Sequence, residues 1–459
     1  MLRFGTALFL GNDIEELRGG TYDQISYDAL AIRVSEGYGF TFEQDWWPAT
    51  RGGEPTAHWS YPYVLMMASI YRLIGHFPVV ARLLQAVLVG VLTPWLIFRI
   101  GRRTFSKNAG LIAAAISAVY AYFIMYGASL MTEALYIVSI LWSLDITMRL
   151  AAKITGLAPE AAPVMNRWWL LLGLELGLAI TLALLLRQVI MAFVAVLLLW
   201  LLWVTWRRAS VRSVMAPLAV AFVTVALLLT PVIVRNQRAF GRIMALNSNA
   251  GFAFFWSNHP IYGTRFESVL SPSHGVTYQE LIPPDLLDLD EASLDRALLY
   301  RGLDFVREEP GRYFLLSLSR IPVYFLFWPK SDSTLLSNMA RLLSFALFLP
   351  AMIYGVALSV RRILLSKEEK LPIRRGASNN ERSSLSFEYV LLLLAFVLLY
   401  SFIHIVSWAN VRYRLPVDAV LIVFAGYGLW DIYLRLWQTR LNSMSVKAPN
   451  SSPPANPDS

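Results

Sequence analysis

Residues 78–100 read PVVARLLQAVLVGVLTPWLIFRI, an apolar run whose only charges are Arg82 and Arg99. A helix of that length crosses a hydrocarbon core of about 30 Å. The pattern returns at 109–127, 130–150, 168–186, 188–206, 214–234, 338–360, 387–407 and 415–434. Lipid offers no hydrogen bonds to a backbone, so segments of this kind are stable there only as helices that satisfy their own. Composition agrees: 56% of the 459 residues are hydrophobic and 15% are charged, against about a quarter charged in soluble domains. The chain therefore reads as an all-α polytopic membrane protein with about nine to ten spans. Its net charge of +9 belongs to membrane topology and gives no reason to expect a nucleic-acid partner. With no cysteine, disulfides, thiol catalysis and cysteine-held metals are excluded.

Loops after alternate spans are basic: Arg99, Arg102, Arg103 and Lys107; Arg207, Arg208 and Arg212; Arg361, Arg362, Lys367, Lys370, Arg374 and Arg375; and Arg435, Arg440 and Lys447 in the tail. All four fall on one side, which the positive-inside rule assigns to the cytoplasm. The chain then divides into 1–77, a first outer loop preceded by the end of a helix; 78–234, six spans; 235–337, an outer segment; 338–434, three spans with a basic loop at 361–386; and a cytoplasmic tail, 435–459. Residues 1–11 (MLRFGTALFLG) resemble the last turns of a first span whose beginning lies upstream. The Ser-, Asn- and Pro-rich stretches 371–386 and from Asn442 onward are expected to be disordered.

Residues 61–75 (YPYVLMMASIYRLIG) are too short to span and carry Arg72, which predicts an interfacial helix. A second outer helix is expected over 291–308, with Asp290 as cap, Leu294, Leu298 and Phe305 at helical spacing, and Pro310-Gly311 as its stop. Residues 312–329 are apolar but broken by Arg320 and Pro322, and are expected on the outer surface, with a tenth span as the alternative. Tryptophans and tyrosines at 46, 47, 59, 61, 256, 262, 328 and 408 suggest an interfacial aromatic belt.

An acidic first outer loop carries 22–40 (YDQISYDALAIRVSEGYGF) and 58–75 (HWSYPYVLMMASIYRLIG). It is followed by SLMTEALY at 129–136, PVIVRNQRAFGRIMALNSNAGFAFFWSNHP at 231–260 and RYRLP at 412–416. In this order, from residue 1 to about 435, the set resembles the lipid-linked-sugar glycosyltransferases of the GT-C fold. The nearest branch is similar to protein O-mannosyltransferases and the aminoarabinose transferases of lipid A. The resemblance implies that Asp23, the acid of the Asp23-Gln24 pair, is the catalytic base; the family's usual second acid is Gln24 here. A carboxylate suits the task, because an attacking hydroxyl or amine must lose a proton. Asp28 is the rival, but five helical residues rotate it about 140° from Asp23.

The same resemblance places Glu133 on the cavity wall and implies a polyprenyl-phosphate leaving group, for which Arg412 and Arg414 are the nearest cations. Pro416 disfavours helix in the residue before it, so an extended segment is expected, with both guanidiniums on one side. Arg187 and Arg235 are further phosphate candidates. Arg414 can instead pair with Asp418 one turn on, and the other two can be interfacial anchors. Asp145, with Arg149 four residues on, and Glu175 lie in the inner half and read as structural ion pairs. His58, His76, His259, His274 and His404 map to the outer side; with Glu133 they could hold a divalent metal, but their spacing forms no ligand motif. No cofactor is otherwise expected.

The resemblance thus implies an inverting hexosyl- or pentosyltransferase on the outer face of the bacterial cytoplasmic membrane. Its partners would be a polyprenyl-phosphate sugar, an envelope lipid, glycan or protein acceptor, and membrane lipids. The alternatives are a polymerase or ligase of larger polyprenyl-linked glycans, and a lipid or solute transporter. Transporters commonly show internal repeats, and none is evident.

Overall fold

A computed structural model of the chain describes residues 1–14, 23–156, 167–331, 333–368 and 381–446. Its helices in order are α1 (Leu2–Leu10), α2 (Asp23–Ser35), α3 (Tyr61–Ile74), α4 (Pro78–Thr104), α5 (Lys107–Val119), α6 (Ala121–Ala128), α7 (Glu133–Thr155), α8 (Arg167–Leu186) and α9 (Met191–Arg208). They continue as α10 (Arg212–Phe240), α11 (Ala250–Asn258), α12 (Glu291–Glu308), α13 (Pro310–Tyr324), α14 (Leu335–Arg341), α15 (Leu347–Glu368), α16 (Glu381–Val406) and α17 (Leu415–Val446). Among the described residues, eight stretches are long and apolar enough to cross a membrane, and α5 with α6 makes up to nine. The fold is all-α and polytopic.

The apolar run 109–127 is bent, because α5 and α6 meet at 55°. Tyr120 at the joint is extended, and its hydroxyl donates to Asp418 Oδ2 at 2.7 Å. The amide of Tyr122, in the first turn of α6 and so without a helical acceptor, donates to Ser344 Oγ at 2.9 Å. A broken helix is tolerated at membrane depth when neighbours supply such partners. The break was invisible in a pattern that records only apolarity.

α7 is the central helix, with 83% of its most apolar window buried against 17% for α10. It packs on α4, α8, α9 and α17. α15 lies tightly on α17: a Cβ at Gly355 would sit 1.9 Å from the Phe424 carbonyl oxygen, so only glycine permits this approach. Small residues serve the same purpose at helix contacts in membranes generally.

At one end of the bundle, α2 packs on α3, α11 on α12, and α13 on α16. Glu291, the first residue of α12, is buried. It accepts from Thr50 Oγ1 (2.7 Å), Ala57 N (2.8 Å) and Ser248 Oγ (2.5 Å), tying the segment before α3 to the segment before α12. Burial raises the Asp295 carboxyl to about 6 although it accepts the amides of Gly251 and Phe252. Asp290 caps α12 through the amides of Ala292 and Ser293. α12 ends at Glu308 as the Pro310-Gly311 stop predicts, and Pro310 in turn opens a new helix, α13, where a missing N–H costs nothing. With fifteen residues, α13 is too short to span. Its Arg320 turns inward to Ser257 O (2.5 Å) and Asn258 Oδ1 (2.8 Å).

Three of the tryptophans assigned to a belt pack on one another or on a shared tyrosine. Trp47 stacks on Trp256 at 5.5 Å, and Tyr278 bridges Trp256 (5.2 Å) to Trp408 (5.6 Å). These rings build the cores of the α11–α12–α13 region, while Trp328 stays exposed. The stretches expected to be disordered are partly helical, since α16 begins at Glu381 and α17 runs to Val446. The remainder, 371–380 and 447–459, lies outside the described residues, as do the cations at 370, 374, 375 and 447.

Alternation of the spans puts Lys107 and Arg207 at one end and Glu54 and Asp285 at the other, all four exposed. In this cysteine-free chain, single cysteines at Glu54 and Asp285 are expected to react with an impermeant maleimide in intact cells. Cysteines at Lys107, Arg207 and Lys370 react only after lysis. Labelling of intact cells at position 370 would reverse the orientation.

Candidate active site

Asp23 opens α2, Glu133 opens α7, and Arg412 sits in the turn that leads into α17. Helix N-termini favour carboxylates, and here two such ends meet. Arg412 Nη1 lies 2.5 Å from Asp23 Oδ2 and 3.6 Å from Glu133 Oε1. Arg187, in the break between α8 and α9, pairs with the same Glu133 oxygen and donates through Nε to Thr132 Oγ1 at 3.1 Å. Four of the residues singled out in the sequence thus form one chain of charges: Asp23, Arg412, Glu133 and Arg187. The Tyr413 ring backs both guanidiniums, at 5.0 Å from Arg412 and 5.2 Å from Arg187, and its hydroxyl accepts from Arg412 Nη2 at 3.2 Å.

The cluster is incompletely satisfied. Glu133 Oε2 and Arg412 Nε are buried without a hydrogen-bond partner among the described residues. Buried polar groups are nearly always paired, so these two are available to a ligand. The Asp23 side chain keeps 21% of its surface exposed, against 3% for Glu133, so Asp23 is the more open of the two acids.

Arg414 faces away. Residues Val411–Arg414 form a 3₁₀ turn instead of the expected extended segment, and in such a turn residues two apart diverge by about 120°. Pro416 sits in the first turn of α17, a position that proline tolerates. Arg414 is wholly buried, 2.9 Å from Asp418, and donates to the carbonyls of Tyr324 (3.0 Å) and Leu326 (3.1 Å). Arg235 lies apart too. It donates to Tyr61 Oη (3.0 Å) and Asn236 Oδ1 (3.1 Å) and edges a surface hollow of about 380 Å³ with Arg238.

Asp28 belongs to a different network, accepting from Tyr71 Oη at 2.5 Å and lying 3.0 Å from His76 Nε2. The 140° rotation along α2 sends it there. Gln24 is a bracket: its Oε1 accepts from Arg82 Nη1 (3.0 Å) and Leu130 N (2.9 Å), holding α2 against α4 and the entry to α7. At the other end of the bundle Asp145 pairs with Arg99 (2.8 Å) and Arg103, not with Arg149, which takes Glu175 (2.8 Å).

The histidines are scattered. His58 Nδ1 lies 2.9 Å from Ser248 O and His404 Nδ1 3.1 Å from Trp408 O, and burial lowers the pKa of His259 to about 4. No group of three or more histidines and acids is placed to hold a metal among the described residues. Sequence reading missed Tyr27, Thr132 and Tyr413. Burial, then the neighbouring Asp23 carboxylate, push the Tyr27 phenol up, so it stays a proton donor beside the cluster. Thr132 and Tyr413 adjoin residues already chosen, which was the only signal for them.

Among solved structures, the archaeal oligosaccharyltransferase AglB from Archaeoglobus fulgidus, in complex with an inhibitory peptide and a dolichol-phosphate, superposes with a TM-score of 0.53 at 15% identity. The match covers 98% of this chain and 52% of that one. The apo form of the Archaeoglobus fulgidus oligosaccharyltransferase gives 0.55 at 15% identity with the same coverage. The fold is GT-C. This GT-C chain spans about half the length of those two proteins. Its residues 61–234 match the family model described as dolichyl-phosphate-mannose-protein mannosyltransferase. ArnT from Cupriavidus metallidurans bound to undecaprenyl phosphate is also similar, with a TM-score of 0.37 at 14% identity over 93% of this chain and 77% of that one. No curated protein matches in sequence.

Proposed function

We propose that this chain is an inverting membrane glycosyltransferase that takes one sugar from a polyprenyl-phosphate donor and passes it to an acceptor at the outer face of the bacterial cytoplasmic membrane. The observation that carries the reading is the Asp23–Arg412 pair, joined through Glu133 to Arg187. A half-buried acid paired with one guanidinium, with a second close by through Glu133, suits a displacement at a sugar phosphate. The acceptor's hydroxyl or amine attacks the anomeric carbon, and its proton passes to the Asp23 carboxylate. The bond from that carbon to the phosphate oxygen breaks, and polyprenyl phosphate leaves with the electron pair. One displacement inverts the centre and needs no enzyme nucleophile.

Arg412 and Arg187 supply fixed positive charge for the leaving phosphate, stabilisation that is strongest where water is excluded. Arg412 has a second role in this scheme. At 2.5 Å from Asp23 it occupies the base, and a donor phosphate that draws the guanidinium away leaves Asp23 free to take a proton. The free oxygen of Glu133 is suited to accept from a sugar hydroxyl. The similarity of residues 61–234 to the mannosyltransferase family supports the donor class.

Purified protein incubated with a panel of radiolabelled polyprenyl-phosphate sugars is expected to release polyprenyl phosphate and label an acceptor with a single sugar. Transfer of a multi-sugar block would move the chain to the polymerase or ligase class. Counterflow of substrate without chemical change would make it a transporter.

A further inference from the structure

A second cluster of charges, at the opposite end of the bundle, is unused by this chemistry. There a cleft of about 730 Å³ opens beside α7 and α8, lined by Arg103, Arg149, Lys153, Glu175, Trp168 and leucines of α8. Behind it, the buried Asp145 is held by Arg99 and Arg103, and Glu175 by Arg149. Among the described residues, four cations thus face two carboxylates. Lys153 pairs with no carboxylate among the described residues; its ammonium lies 5.9 Å from the Trp168 ring and 5.2 Å from the Trp169 ring. Positive charge in excess of what the protein neutralises is complementary to an anion.

The other wall of the cleft says which kind of anion. Leu171, Leu174 and Leu178 are 48%, 42% and 37% exposed. Spaced at i, i+3 and i+7, they form one stripe on α8. α8 starts at Arg167 beside the cations and runs toward the far end of the bundle, so the stripe climbs from the charged floor into the hydrocarbon. Trp168, exposed at the foot of the stripe, is a residue type that settles at headgroup level. The stripe lies where acyl chains run along a span, so a phospholipid whose phosphate sits on the floor uses both, whereas a free phosphate ion uses the floor alone.

We propose that this cleft binds an anionic phospholipid of the inner leaflet, its phosphate over Lys153 and Arg149 and an acyl chain along the leucine stripe. Basic pockets between membrane helices on the cytoplasmic side suit such headgroups. The site is separate from the sugar-transfer cluster and stands whatever that cluster does.

The test uses the full chain in mild detergent, with phosphatidylglycerol as the probe and native mass spectrometry counting bound lipid. Wild-type protein is expected to retain phosphatidylglycerol well above phosphatidylcholine. Lys153→Gln weakens retention about 5-fold, the effect of one juxtamembrane charge, and Lys153→Glu abolishes the preference. Lys153 bears no ion pair among the described residues, so both variants are expected to melt with wild type in phosphatidylcholine, and that match is checked first. Equal retention of phosphatidylglycerol by wild type and Lys153→Glu would overturn the proposal. So would displacement of the lipid by millimolar inorganic phosphate, which would assign the floor to a soluble anion.

Discussion

Asp23→Asn is expected to lower sugar transfer by at least about 100-fold, the lower end of what a general base contributes. The amide keeps the size of the carboxylate and can still accept the Arg412 hydrogen bond, but it cannot take the acceptor's proton. Donor affinity does not fall with it, because Arg412 keeps its charge and loses only its anionic partner at 2.5 Å. The two readings separate chemistry from binding: labelled product measures transfer, and retention of a polyprenyl phosphate measures the donor site. Asp28→Asn provides the contrast. Its carboxylate faces Tyr71 and His76, so the change is expected to cost some stability and little transfer. Near-normal transfer by monodisperse Asp23→Asn protein would end the mechanism. A dead Asp28→Asn protein that melts normally would point to the other acid.

The second large effect is expected at Arg412. Arg412→Ala removes the cation that touches Asp23 directly and approaches Glu133 at 3.6 Å. Donor binding and transfer should fall together, because a leaving phosphate would lose its nearer guanidinium. Arg412→Lys keeps the charge but loses the two-pronged geometry, so it restores only part. Arg414→Ala is expected to behave differently. It would leave Asp418 buried with Tyr120 as its remaining hydrogen-bond partner, and breaking one side of a buried pair costs about 3–5 kcal/mol. Loss of melting temperature and of folded yield is therefore the expected signature at 414, and loss of donor binding at unchanged melting temperature the signature at 412. Should Arg412→Ala bind polyprenyl phosphate as wild type does, the phosphate would have to be sought at Arg187.

The sequence by itself settled the class of this protein. Nine apolar runs and four basic loops are local quantities that add along the chain, and no packing detail can cancel them. The family resemblance of its ordered motifs, not charge patterning, singled out Asp23 and Glu133, and with them Arg187, Arg235, Arg412 and Arg414 as cations for a phosphate. What the sequence could not decide was rotation. Whether Arg412 or Arg414 turns toward Asp23, 389 positions away, depends on a 3₁₀ turn at the start of α17 that apolar patterning does not record. The bend at Tyr120 and the inward stacking of Trp47, Trp256 and Trp408 are of the same kind. Each rests on which neighbour satisfies a freed amide or covers a ring, and those neighbours are distant in the chain. Hydrophobic length is written locally, and the membrane alone reads it. Convergence of side chains exists only once the helices have packed, and the tertiary structure alone brings Arg412 onto Asp23 and buries Arg414.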